Sequence, residues 1–400
     1  MSKVVEKFLR YINIDTMSDE ESTSTPSTSI QLTLAKLLVE ELHSMGIDNA
    51  YLDQYGLVYA YLDGDESLDS IGLIAHMDTS PELIGGNYTP TIIKKYDGKD
   101  IKLNDVYTMS PKEFPSLNGN IGHDIIVTDG NHLLGGDDKA GIAIIMEIME
   151  YYVTHKDIKH APIRICFTPD EEVGRGSENF SVSKMSAKVA YTLDGGRFND
   201  INYENFNAYS IQVNIKGVGI HPGSAKGIMI NSILVAQEFN SLLPNETPAN
   251  TEKYEGFAHL NDIKGTVEET NMFYIIRDHD SNKIHERVGK FFEIERKLSL
   301  KYPRAHIEVI SKEGYHNMHE YFKNDMTAVN KATNAYKKLG IEPTFTPIRG
   351  GTDGASITFM GLPCPNLGTG DYNCHGRYEY VDINEMEQMV EVVKTLLESR

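Results

Sequence analysis

A mainly parallel α/β sheet flanked by helices, with an inserted ferredoxin-like α+β domain, is the fold class that these 400 residues predict. Three observations carry it. Three short apolar runs, 71–75, 163–167 and 189–193, each stop at residues able to do chemistry: His76, the triplet Asp170-Glu171-Glu172, and Asp194. Short β-rich runs separated by helical patterns read as strands of a parallel sheet, and reactive groups gather at the carboxyl ends of such strands. The middle of the chain then follows the order β-α-β-β-α-β, which is ferredoxin-like. Gly-rich motifs resume after it, so the middle reads as an insertion. The expected division is 1–207 and 314–400 for the α/β part, with 208–313 as the inserted lid.

Taken in order, residues 3–14 and 31–45 carry apolar residues at helical spacing, and Gly46 ends the second helix. Residues 15–29 between them are polar and Ser/Thr-rich, which predicts a solvated loop. Residues 80–132 are rich in Gly, Asn, Pro and Asp, with a hairpin expected over 91–103, turning on Asp97-Gly98. A helix over 141–152 starts just after Asp137-Asp138. In the insertion, 210–216, 257–263, 273–277 and 306–310 read as strands, and 228–243 and 282–300 as helices. No internal repeat is present.

Composition narrows the function. With 58 acidic and 38 basic residues the formal charge is −20, so a broad surface for nucleic acid or anionic lipid is not expected. No apolar run approaches the ~20 residues of a membrane span. The first ten residues set charges among apolar positions, a helix pattern and not a signal peptide. Three cysteines, Cys166, Cys364 and Cys374, argue against a disulfide framework and for a reducing, cytoplasmic setting.

The chemistry-bearing motifs are individually modest. His76-Met-Asp78 puts two side chains on one side of an extended segment, where an imidazole can bind a metal and a carboxylate can orient it; a hydrogen-bonded core histidine is the alternative. His155-Lys-Asp157 repeats the spacing in a polar stretch, without the buried strand. Three consecutive carboxylates at 170–172 repel one another unless cations neutralise them, though a solvated acidic turn would look the same. The acids of Gly135-Gly136-Asp137-Asp138 could merely cap the following helix, and Asp194-Gly195-Gly196 could be only a turn. Asn373-Cys374-His375-Gly376 offers a loop histidine. The thiol of Cys374 is discounted, because no partner for it can be argued. Two imidazoles and several carboxylates suit a pair of divalent ions: zinc first, with cobalt or manganese as replacements. Such a pair clamps water and polarises a carbonyl, and a spare carboxylate can take the proton. Gly-rich 134–141 lacks both the dinucleotide and the P-loop spacing, which sets a nucleotide site aside.

The motifs Ala75-His-Met-Asp-Thr79, Leu134-Gly-Gly-Asp-Asp-Lys-Ala-Gly141 and Phe167-Thr-Pro-Asp-Glu-Glu-Val-Gly174 stand in the order seen in the co-catalytic zinc peptidases. Leu193-Asp-Gly-Gly196, His221-Pro-Gly-Ser-Ala-Lys-Gly227, Ile275-Ile-Arg-Asp278, Arg349-Gly-Gly-Thr-Asp-Gly354 and His375-Gly376 continue the series. The chain thus resembles that superfamily, which also holds aminoacylases and glutamate carboxypeptidases, over essentially its full length. The resemblance implies two zinc ions per chain, bridged by Asp137, with His76 and Asp194 completing one site and Glu172 and His375 the other. It implies Glu171 as general base and Asp78 as the carboxylate holding the imidazole. His221 would stabilise the oxyanion, and Arg277 and Arg349 would grip a peptide carboxylate. Read from the residues alone, His221-Pro222 is equally a turn, and Arg277 equally a surface partner of Asp278 or Asp280. The implied activity is release of the N-terminal residue from tripeptides held between the α/β part and the lid. Dipeptidase, carboxypeptidase or N-acyl amino acid hydrolase action on the same dizinc site is the alternative. A homodimer formed through the lid is also compatible with the resemblance. His316-Asn-Met-His319 reads as a surface helix start.

Overall fold

The computed structural model describes residues 1–399 and divides into two compact units. The first comprises Met1–Tyr203, Tyr321–Thr346 and the chain from Thr352 onward. Its seven-stranded sheet has the order Tyr51–Leu52, Val58–Leu62, Ile163–Thr168, Ile71–His76, Val189–Leu193, Asn366–Leu367, Ile201–Asn202. The four inner strands from Ile163–Thr168 to Asn366–Leu367 run parallel, and the outer pairings are antiparallel. Parallel strands buried on both faces need near-continuous apolar sequence. Ile71–His76 and Val189–Leu193 accordingly have no exposed residue.

The long helix Gly136–Thr154 packs against the His76 strand. Its backbone departs from helical geometry at Asp137 and Asp138, so the regular helix begins at Lys139. The N-terminal helix Lys3–Tyr11 packs on it in turn. There the buried Lys7 ammonium meets Glu147 at 2.8 Å and also Glu150.

Two expectations fail here. Residues 91–103 do not form a hairpin: Thr91–Ile93 pairs with Ile125–Val127, and Ile101–Lys102 pairs with Thr108–Met109. The Asp97-Gly98 turn exists, but both flanking segments find better partners elsewhere, around a satellite core of Tyr96, Met109, Leu117 and Tyr380. The 15–29 loop is not simply solvated either. Thr16, Ser18 and Ser27 are buried, and the Ser27 N–H donates to the Asp170 carboxylate at 2.8 Å. Buried polar backbone needs such a partner, and Asp170 supplies it.

The second unit comprises Glu204–Glu320 and Pro347–Gly351. Strands Asn207–Lys216, Phe257–Gly265, Glu269–Asp278 and His306–Glu313 form one antiparallel sheet, with Glu269–Asp278 and Asn207–Lys216 at its centre. Helices Ser232–Ser241 and Ser281–Lys301 cover one face, burying Ile211, Val213, Tyr274 and Ile276 against Phe239, Phe291 and Leu298. Asn231 and Asp280 cap these helices by accepting backbone N–H bonds in their first turns. The unit is wider than 208–313, and it includes Pro347–Gly351, which the sequence alone assigned to the α/β part. The reason is local: Arg349 donates to the carbonyls of Lys253 and Glu255 and stacks over Phe206 and Phe257. Among the described residues no helix is long and apolar enough to cross a membrane.

Candidate metal centre

Parallel register sets the site. His76 lies level with Thr168, and Ile74 with Thr192, so His76, the 170–172 triplet and Asp194 leave the sheet at one end. His76 Nε2 lies 2.8 Å from Asp137 Oδ1 and 3.8 Å from Asp194 Oδ1. The other oxygen of Asp137 lies 3.4 Å from His375 Nε2, which is 2.9 Å from Glu172 Oε2. The potential ligand atoms of His76, Asp137 and Asp194 all fall within 4.8 Å of one another, as do those of Asp137, Glu172 and His375. Asp137 is common to both groups.

A second layer of bonds fixes these groups. His76 Nδ1 lies 3.0 Å from the backbone carbonyl of Asp78, closer than the 3.4 Å to the Asp78 carboxylate. Donation from Nδ1 to that carbonyl leaves Nε2 as the ligand nitrogen. The Asp78 carboxylate is fully buried and accepts the N–H groups of Glu171 at 2.9 Å and Glu172 at 3.1 Å. It therefore organises the acidic turn more than the imidazole. Asp138 accepts the His76 N–H, and Glu379 accepts those of Gly135 and Asp137. Asp170 faces away, bonded to Ser27 and Gln31. Replacing Asp78 by Asn would leave one of the two turn amides without its acceptor. Kinetics with metal analysis should show kcat/KM or metal affinity reduced about 10–100-fold; unchanged values would remove Asp78 from the site's support.

The electrostatics fit a pair of cations. Burial and Asp137 push the Glu172 carboxyl up to about 7. Burial, then Asp137, raises Asp194, and burial with Asp194, Asp353 and Glu172 raises Glu171, against the opposing effect of His76. Burial would depress His76, but bonds to Asp137 and Asp78 outweigh it and raise the imidazole. Bonds to Asp137 and Glu172 raise His375 likewise. Glu172 Oε1 is buried without a hydrogen-bond partner. Partly buried acids that repel one another, an orphaned oxygen and two imidazoles form a donor set for borderline or hard divalent ions. His76, Asp137 and Asp194 would hold one, and Asp137, Glu172 and His375 the other.

The remaining predicted residues lie on the second unit. His221 is exposed, and its Nδ1 accepts the Gly223 N–H at 3.1 Å, which leaves Nε2 to carry the proton of the neutral ring. Arg277 does not pair with Asp278, which binds Arg287; its Nη1 donates to Ile276 and Tyr209 carbonyls. Arg349 donates from both terminal nitrogens to the 251–255 loop. Of the decoys, exposed His155 bonds its own helix end, and His319 starts the short helix His319–Phe322, 3.5 Å from Glu204. Sequence reasoning gave no part in the site to Asp138, Asp371 or Glu379; those of Asp138 and Glu379 depend on contacts across the chain. It quoted the motif containing Asp353 without using that acid, which accepts the Thr168 hydroxyl. It also discounted the Cys374 thiol for want of a partner, whereas Asp371 Oδ2 lies 3.0 Å from Sγ.

Two candidate metal groups that share an acid at the carboxyl end of a mixed sheet fit a class, metal-dependent hydrolases of the peptidase type, and the comparisons agree. The chain belongs to peptidase family M20/M25/M40, whose model matches residues 127–399; it is a peptide-bond hydrolase. More particularly, it is 51% identical to Peptidase T of Clostridium perfringens (strain SM101 / Type A), over 99% of this chain and 98% of that protein. Its fold is also that of aminopeptidase PepT from Bacillus cereus ATCC 10987 (TM-score 0.77, 23% identity, 99% of this chain and 97% of that one). A tripeptidase from Staphylococcus aureus subsp. aureus Mu50 is similar (TM-score 0.78, 20% identity, 99% and 97%).

Proposed function

We propose that this chain releases the N-terminal residue from short peptides, chiefly tripeptides, using two divalent cations, with zinc the first choice and cobalt or manganese able to replace it. The observation that carries the reading is Asp137 lying between two imidazole–carboxylate groups, with Glu171 beside them and a member of neither. The names of the relatives, Peptidase T, aminopeptidase and tripeptidase, support the substrate class.

Two ions held there supply Lewis acidity, which polarises a carbonyl and makes water a nucleophile near neutral pH. Glu171 is the general base: it takes the proton of the attacking water and returns it to the amine that leaves. Its backbone N–H bond to Asp78 fixes where it stands. On the second unit, His221 would donate from Nε2 to the developing oxyanion, and Arg277 and Arg349 would hold the peptide's carboxylate. Three free cysteines fit a reducing, cytoplasmic setting.

Length selection would follow from holding both ends of the substrate, whose extended tripeptide form is about 10 Å long. Steady-state kinetics on di-, tri- and tetrapeptides should give the highest kcat/KM for tripeptides. Equal efficiency on all three would end the length argument. Acetylating the amine of the tripeptide should abolish cleavage; continued cleavage would transfer the reading to carboxypeptidase or N-acyl amino acid hydrolase action.

A further inference from the structure

We propose that Cys374, Asp371 and Asp137 form a further, inhibitory site for a soft divalent cation such as Zn2+ or Cd2+. Four observations place it. The Cys374 thiol donates to Asp371 Oδ2 across 3.0 Å. One ligand atom from each of Cys374, Asp371 and Asp137 lies within 4.8 Å of the other two. Asp371 is fully buried and its Oδ1 has no hydrogen-bond partner; among the described residues no cationic side chain pairs with it. Gly136 leaves room for the Asp371 carboxylate. A Cβ on Gly136 would come within 2.5 Å of Asp371 Oδ1 and drive it away.

A thiolate with two carboxylates selects a borderline or soft ion over magnesium or calcium. On binding, the S–H bond breaks, its proton goes to solvent, and the sulfur lone pair forms the bond to the metal; no oxidant or reductant takes part. The other two thiols cannot substitute, since Cys166 and Cys364 are fully buried away from solvent while Cys374 is partly exposed. A cation here would draw on Asp137, the ligand shared by the two groups described above, and pull it out of the position those groups need. The inhibitory effect rests on that reading of Asp137, but the binding does not.

The test starts from protein carrying its two Zn2+ ions and adds Cd2+. A third equivalent should bind with a sulfur-to-cadmium absorption band in the ultraviolet, and turnover should fall in step with it. Cys374→Ser should keep the first two equivalents and the basal turnover, lose the band, and need at least about tenfold more Cd2+ for the same inhibition. Asp371→Asn should keep the band but weaken Cd2+ binding about tenfold. An equal band in Cys374→Ser, or no third equivalent in the unaltered protein, overturns the proposal. Failure of the two-cation reading would appear separately, as fewer than two bound equivalents before cadmium is added.

Discussion

Glu171→Gln is expected to lower kcat by about 10²–10⁴-fold while two cations per chain remain bound. Gln preserves the size of the side chain and the N–H that donates to Asp78, so the acidic turn should keep its shape. What it removes is the proton acceptor. Glu171 belongs to neither of the ligand groups that share Asp137, so metal content should not follow activity. Steady-state kinetics beside elemental analysis of dialysed protein separates the cases. A fall to one bound cation would make Glu171 a ligand, and unchanged kcat would move the base elsewhere.

Asp137→Asn should remove more. Its two oxygens face different imidazoles, 2.8 Å from His76 and 3.4 Å from His375, and the amide leaves one oxygen and no charge to serve both groups. Metal affinity should fall at both sites by more than the 10–100-fold typical of losing an outer partner, with turnover lost alongside. Asp194→Asn touches one group only and should cost one cation. Stoichiometry after dialysis against a weak chelator reads the difference. Two cations retained in Asp137→Asn would overturn the shared role.

Much of the candidate site was legible because its residues stand at the ends of short apolar strands. Once 71–75, 163–167 and 189–193 are read as parallel, His76, Glu171, Glu172 and Asp194 must leave the sheet together. His375 follows no such strand; it stood out only as a loop histidine, and its pairing with Glu172 came from the resemblance. The chemistry of Asp78 was half legible: its closeness to His76 follows from spacing, but its two bonds to the 171–172 amides cross between segments. The hairpin expected over 91–103 failed for a related reason. A turn signal reports local geometry, and Ile125–Val127 was the better partner for Thr91–Ile93.

Periodicity along the chain and the chemistry of a few motifs were thus enough to predict the α/β class, the ferredoxin-like insertion and the candidate acids and histidines of the centre. Both are properties of neighbours within a strand or a helix turn. Folding alone decided the distances that set Asp137 between the two groups, a place the resemblance had implied, that Arg349 joins the second unit, and that Asp371 reaches Cys374 beside Asp137. The first places side chains from segments far apart in sequence within hydrogen-bond range, and the last sets a local pair, Asp371 and Cys374, against the distant Asp137. Such proximity follows from how the layers pack, which no local pattern of residues encodes.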